Sequence, residues 1–155
     1  MHRFHGIPTA LARDLRAGAP DANGQPAERI ANPWAAAPCR HCLRNIPTGA
    51  GMLIFALRPF DSLQPYAEAG PAFLCAEDCA PFEGEGLPPV VGLSPEYLLK
   101  AYGADERIVY GTGRVTPVEE IPAYVAELLS REEIAFVDVR SARNNCWQAR
   151  AVAVA

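Results

Sequence analysis

IAFVDVRSARNNCWQARAVAV, residues 134–154, is the stretch that decides the fold. From Ile134 to Arg140, and again after Cys146, alternate residues can be assigned to two different faces. This two-residue period is that of β-strands. The polar residues 141–145 between them form a turn. We therefore predict a strand over 134–140 and a last strand over 146–154. The last strand is expected to have two faces, one with Trp147, Ala149, Ala151 and Ala153 and the other with Cys146, Gln148 and Arg150.

Further strand patterns lie upstream of this pair. The strongest is GMLIFALR at 51–58, a near-continuous apolar run typical of a strand buried on both faces. Residues 3–7 and 72–76 have weaker strand patterns. Residues 97–102 and 107–112 flank the four residues 103–106, which predicts a hairpin.

One helix is clearly indicated in the C-terminal half. Thr116, Pro117 and Glu119 form a T-x-x-E capping box with proline at the first helical position. Pro122 conflicts with a regular helix, so either its first turn is irregular or the helix proper begins near Ile121. The apolar face at helical spacing consists of Val118, Ile121, Val125, Leu128 and Leu129. A shorter helical segment is expected near 9–17.

These elements indicate an α+β fold, with a mostly antiparallel or mixed β-sheet and long loops rich in proline and glycine. The loops are expected at 18–38 and 81–95, and the first has room for about one helical turn. The pieces on either side are too small for separate cores, so residues 1–155 are predicted to form a single domain.

Composition and charge exclude several functional classes. The chain is 50% hydrophobic and 21% charged, with a net charge of -4, which is typical of a globular protein. A net negative charge gives no attraction for nucleic acid or an anionic membrane, so neither is an expected partner. Residues 1–16 lack the apolar core of a signal peptide, and no apolar run is long enough to span a bilayer. We therefore expect a cytoplasmic protein.

The five cysteines form a pattern that is unusual for a cytoplasmic protein. Cys39-Arg-His-Cys42 and Cys75-Ala-Glu-Asp-Cys79 could bring four thiolates to one tetrahedral zinc ion, with His41 as a further candidate ligand. Free thiols without a metal are the favoured interpretation, because free cysteine is among the most buried residue types. A redox pair activated by Arg40 and His41 is a third interpretation.

Two polar segments are candidates for a ligand site. Arg140 and Arg143 flank an Asn-rich turn that ends at Cys146, and arginine is suited to carboxylate or phosphate groups. The loop 65–71, PYAEAGP, carries Tyr66 and Glu68, of which Glu68 could act as a base or pair with an arginine. The alternatives are a solvated surface pair between Asp138 and Arg140, and a proline-rich loop without a site.

Several segments together resemble the bacterial family known as domain of unknown function 1203 (DUF1203). They are PCRHCL at 38–43, RPF at 58–60, PYAEAGPAFL at 65–74, Cys79 and FVDVRSARNNC at 136–146. The resemblance implies a small stand-alone domain but no activity. In the family pattern a histidine more often stands in place of Cys75, which agrees with zinc binding but also with a catalytic histidine that this chain lacks.

The sequence thus favours a small-molecule or anion-binding domain and leaves open whether it is an enzyme. The predicted pocket lies where the cysteine pair 39–42, the loop 65–71 and the turn 140–146 meet. Its candidate ligand-binding residues are Tyr66, Glu68, Arg140 and Arg143, and its catalytic candidates are Glu68 and Cys146. The alternatives are a structural zinc domain that uses Cys39, Cys42, Cys75 and Cys79, and a thiol redox or partner-binding protein.

Overall fold

The computed structural model describes residues 1–155 and contains two α-helices and eight β-strands. In chain order these are β1 (His2–His5), α1 (Thr9–Arg16), β2 (Glu28–Ala31), β3 (Gly51–Leu57), β4 (Gly70–Cys75), β5 (Glu96–Tyr102), β6 (Arg114–Pro117), α2 (Ile121–Leu129), β7 (Phe136–Ser141) and β8 (Trp147–Ala153). The strands form two antiparallel sheets, one of five strands in the order β1-β8-β7-β5-β6 and one of three in the order β2-β3-β4. The predicted α+β class is confirmed.

The five-stranded sheet is built around β7, whose residues from Phe136 to Arg140 are all buried. Helix α2 packs its apolar side against this sheet, with Ile121, Val125 and Leu128 in the same core as Val137 and Val139. The predicted helix face is therefore correct at these three positions. None of the helices has the length and apolar composition needed to cross a membrane.

A β-bulge between β7 and β8 changes the predicted faces of the last strand. Val139 pairs with Ala149, but Arg140 pairs with Trp147, so Gln148 is an extra residue in β8. Because of this insertion, Trp147 packs into the core of the three-stranded sheet while Ala149 packs into the core of the five-stranded sheet. The prediction that Trp147 shares a face with Ala149 was wrong.

The three-stranded sheet has β3, which was predicted over 51–58, at its centre and a core of its own. Helix α1 contributes Ala12 and Leu15 to this core, and Cys39 and Cys42 lie within it. The edge strand β2 was not predicted, because its residues 28–31 are mostly exposed and lie in a segment rich in turn-forming residues. The prediction of a single domain stays a prediction.

Two local predictions between β5 and α2 need correction. The predicted hairpin forms only beside its turn, where Tyr102 and Ile108 make an isolated antiparallel bridge and the backbone N–H of Val109 donates to the Ala101 carbonyl. Residues 107–112 form no strand, and the strand that pairs with β5 on this side is β6. The capping box does not form, since Thr116 belongs to β6 and its hydroxyl donates to the Arg114 carbonyl. A 3-10 turn at Val118–Glu120 precedes an α-helix that begins at Ile121, as Pro122 indicated.

Candidate metal centre and charged cavity

Four of the five cysteines converge beside the three-stranded sheet. The sulfur atoms of Cys39, Cys42, Cys75 and Cys79 all lie within 4.8 Å of one another. The Sγ atoms of Cys39 and Cys79 are 3.9 Å apart, and those of Cys42 and Cys75 are 4.0 Å apart. A disulfide would bring two sulfurs to about 2.05 Å. Four tetrahedral Zn–S bonds of about 2.3 Å separate the sulfurs by about 3.8 Å, so the spacing is that of a metal-binding cluster.

The first two thiols are presented by a tight turn, the cysteine knuckle (residues 39–42). The backbone N–H of Leu43 donates to the Cys39 carbonyl, and Leu43 has a left-handed φ of 55° that closes the turn. An isolated parallel bridge between Cys39 and Phe73 holds the knuckle beside β4. Cys75 ends β4 and Cys79 follows in the next loop, so the bridge brings the two cysteine pairs together.

The hydrogen bonds among the thiols show why a cation suits this cluster. Hydrogen bonds from Cys42 and Cys75 hold the pKa of Cys39 well below its usual value. The same bonds to Cys39 raise the pKa of Cys42 to about 12 and also raise the pKa of Cys75, because these two thiols act as donors. A divalent metal ion neutralises the repulsion that otherwise prevents all four thiols from ionising together.

Helix α1 supports the cluster from both of its ends. Arg16 Nη2 donates to Cys79 Sγ at 3.1 Å, and Arg16 Nε donates to the Cys75 carbonyl at 3.0 Å. His41 Nδ1 lies 3.2 Å from Cys79 Sγ, and its Nε2 lies 2.8 Å from the Thr9 hydroxyl. Burial lowers the pKa of His41, which favours the neutral ring. The tautomer with its proton on Nδ1 would donate to Cys79 Sγ and accept from the Thr9 hydroxyl at Nε2. His41 therefore contacts a sulfur of the cluster and is not one of its four members.

A second cluster, of charged residues, lies on β5, β7 and β8. Asp138 has no exposed surface, and its carboxylate accepts hydrogen bonds from Arg150 Nε at 2.7 Å and Nη2 at 3.0 Å. Arg140 Nη2 lies 3.7 Å from the same carboxylate, while its Nη1 pairs with Glu68 Oε1 at 2.6 Å. Lys100 Nζ lies 3.6 Å from Glu68 Oε1. Asp138 and Arg140 are thus buried in a network and are not a solvated surface pair.

A cavity of about 200 Å³ adjoins this charged cluster. Its lining includes Glu68, Arg140, Asn145, Cys146 and Trp147. The Arg140 Nε and Trp147 Nε1 atoms are buried N–H donors with no acceptor in the protein. Almost all buried donors in proteins have partners, so two orphan donors on residues that line one cavity are an unusual feature of this part of the fold.

Arg40 connects the cysteine knuckle to this cavity. Its buried guanidinium donates from Nε to the Trp147 carbonyl and from Nη1 to the Pro38 carbonyl, both at 2.7 Å. Its backbone N–H donates to the Phe73 carbonyl in β4. Desolvation lowers the pKa of Arg40 to about 10, which still leaves it charged at neutral pH. The knuckle, the loop 65–71 and the turn 140–146 therefore meet in space.

A family model described as protein of unknown function (DUF1203) matches residues 36–152. The chain belongs to this family. Neither the curated proteins nor the solved structures contain a match to the chain. The matched region of this DUF1203 chain includes the four clustered cysteines and the charged cluster of Glu68, Lys100, Asp138, Arg140 and Arg150, while Arg16 lies before it.

Among the predicted site residues of the DUF1203 chain, Glu68, Arg140 and Cys146 line the cavity, but Tyr66 and Arg143 do not. The Tyr66 hydroxyl instead lies 2.8 Å from that of Tyr110. Arg143 is exposed at the tip of the turn. Sequence reasoning missed four residues of the two sites, namely Arg16, Lys100, Arg150 as an ion-pair partner, and Trp147. The alternation of β7 offered one signal, since Asp138 stands among apolar residues of a strand.

Proposed function

We propose that the chain is a zinc-binding domain in which Cys39, Cys42, Cys75 and Cys79 hold one structural zinc ion. The convergence of four sulfurs within 4.8 Å is the observation that supports it. Four protein ligands fill the tetrahedral coordination that zinc prefers, and a site with no open position is structural rather than catalytic. Arg16, His41 and the backbone N–H of Cys75 donate to the sulfurs, which offsets the negative charge of four thiolates around a divalent ion.

Such an ion would link three segments of the chain. It would join the knuckle to the end of β4 and to the loop that carries Cys79. Because this half of the chain has a small sheet and long loops, the free energy of metal binding would contribute directly to its stability.

The experiment is elemental analysis of untagged protein, with variants Cys39→Ser and Cys79→Ser and the control Cys146→Ser. Cys146 is the one cysteine outside the cluster. We expect about one zinc per chain in the parent and the control, and a loss of zinc in both cluster variants. Iron in place of zinc would show that the cluster binds a different metal. Metal-free protein with fast-reacting thiols would reject metal binding and favour the redox alternative.

We propose a second function, the binding of a small anion in the cavity beside Arg140. The specific observation in its favour is the pair of orphan donors, Arg140 Nε and Trp147 Nε1, in residues that line this cavity. Arg140 and Trp147 are almost completely buried, which makes their donors strong and costly to leave unpaired. A titration of the protein with small anions tests this function, and failure of every anion to bind would reject it.

A further inference from the structure

We infer that the anion bound in this cavity is a small monocarboxylate, which makes contact with Arg140 Nε and Trp147 Nε1. The inference rests on the anion-binding function proposed above and names the chemical class of the ligand. It depends on three features of the molecule: the net charge of the cluster, the free donors and the apolar part of the cavity wall.

The charged cluster carries one unmatched positive charge. Its ion pairs connect the cations Lys100, Arg140 and Arg150 with the carboxylates Glu68 and Asp138. Three cations and two anions leave a net charge of one in a largely buried place. A monoanion neutralises this charge, whereas a dianion such as sulfate introduces a new unmatched charge that is costly to bury.

The free donors fit a planar carboxylate. Nη1 of Arg140 is engaged by Glu68 and by the Asn145 carbonyl, but its Nε has no acceptor. The Trp147 indole N–H is a second donor without a partner. An ionised carboxylate is acceptor-only, with two oxygens and about four lone-pair sites, so it can satisfy both donors. Charge-assisted bonds of this kind are among the stronger hydrogen bonds.

The rest of the cavity wall favours an organic acid with a short apolar chain. Leu57, Pro59, Pro71 and Trp147 supply apolar surface to this wall. The volume of about 200 Å³ is below the roughly 300 Å³ at which pockets for drug-sized ligands begin. A ligand of a few carbon atoms with one carboxylate matches both the size and the mixed polarity.

Glu68 shares Arg140 with this ligand. Its side chain is 45% exposed, and its carboxylate is the only partner of Arg140 that comes from the loop 65–71. It therefore acts as an internal competitor for the guanidinium. Removing its charge raises the net positive charge of the cluster, so the affinity for a monoanion is expected to rise.

The test uses the indole N–H signals in a ¹H–¹⁵N NMR titration of the full chain at low chloride concentration. The chain has two tryptophans, and Trp34 is half-exposed and does not line the cavity, so its signal is an internal control. We expect propionate to shift the Trp147 signal saturably and leave the Trp34 signal in place. Propionamide, its neutral analogue, and sulfate, a dianion, are expected to bind at least about tenfold more weakly.

Calorimetric titration of variants with propionate completes the test. Glu68→Gln is expected to bind roughly fivefold more tightly. Trp147→Phe, which keeps the ring but loses the donor, is expected to bind roughly tenfold more weakly, while Trp34→Phe remains unchanged. Equal binding of sulfate and propionate, or weaker binding by Glu68→Gln, would overturn the monocarboxylate inference and leave anion binding intact. Absence of binding by every anion would overturn both.

Discussion

Asp138 is the residue on which the charged cluster depends. Its carboxylate is fully buried and faces two arginines, of which Arg150 makes two hydrogen bonds to it. Asp138→Asn keeps the shape of the side chain but leaves Arg150 without the anion that accepts its two hydrogen bonds, and Arg140 with Glu68 as its one remaining anion. We expect the free energy of unfolding to fall by about 3–5 kcal/mol, measured by urea denaturation.

The matched control is Glu133→Gln, which removes a carboxylate paired with Arg131 at the surface. Exposed pairs contribute about 0–1 kcal/mol, so this variant should unfold close to the parent. If both variants unfold at the same urea concentration, the buried network does not stabilise the sheet.

Arg16 is a residue whose effect should appear in metal affinity. It donates to Cys79 Sγ and to the Cys75 carbonyl, two groups of the candidate metal centre. We expect Arg16→Met to weaken zinc binding by about 10- to 100-fold in a chelator competition assay, the usual effect of losing such a support.

Arg13→Met, an exposed arginine on the same helix, is the control for charge and helix propensity. Equal loss of zinc affinity in the two variants would mean that the general charge of α1 matters and the hydrogen bonds to the cluster do not.

At the scale of elements, the link between β1 and α1 fixes the position of the cysteine knuckle. The backbone N–H of Ile7 donates to the Arg40 carbonyl at 2.8 Å, and a Cβ atom on Gly6 would lie 2.1 Å from that oxygen. Gly6→Ala must therefore push the link and the knuckle apart. We expect a loss of about 1–3 kcal/mol in the free energy of unfolding, together with weaker zinc binding.

Gly92→Ala is the control for this prediction, since a Cβ there meets nothing within 4 Å. A Gly6→Ala variant with the stability of Gly92→Ala would show that the contact with the Arg40 carbonyl is easily relieved.

The elements that the sequence predicted well are those whose pattern follows from burial. The apolar run at 51–57 and the helix face of α2 are of this kind. The bulge at Gln148 could not be predicted, because an extra residue in one strand is visible only against its partner. The short edge strand β2 was missed for a similar reason, since its pairing with β3 and not its own residues defines it.

For the whole molecule, the two hydrophobic cores lead to a prediction about metal removal. Cys39 and Cys42 belong to the core of the three-stranded sheet, while β5, β7 and α2 surround the other core. Chelation of zinc should therefore open one half first. We expect hydrogen exchange to lose protection at the knuckle, α1, β3 and β4, and to change little in β5 and β7. Uniform loss of protection in both halves would show that the metal supports the whole fold.

The candidate sites illustrate which parts of a site can be predicted from sequence. The cysteine spacing predicted the four-sulfur cluster, because ligand type and spacing are local properties. The charged cluster depends on strand order: Asp138 is aligned with Lys100 across β5 and with Arg150 across β8. Neither alignment can be read from one strand alone. The position of Tyr66 outside the cavity could not be predicted either, because its loop gives no information about the direction of its side chain.

Zinc K-edge X-ray absorption of the purified chain measures the ligands of the metal themselves. With Cys39, Cys42, Cys75 and Cys79 as its only ligands, the ion should have four sulfur neighbours at about 2.3 Å and no lighter atom in its first shell. A nitrogen or oxygen neighbour at about 2.0–2.1 Å, or a shell with fewer than four sulfurs, would contradict the four-cysteine site. A nitrogen in that shell would identify His41 as a ligand and not as a hydrogen-bond donor to Cys79.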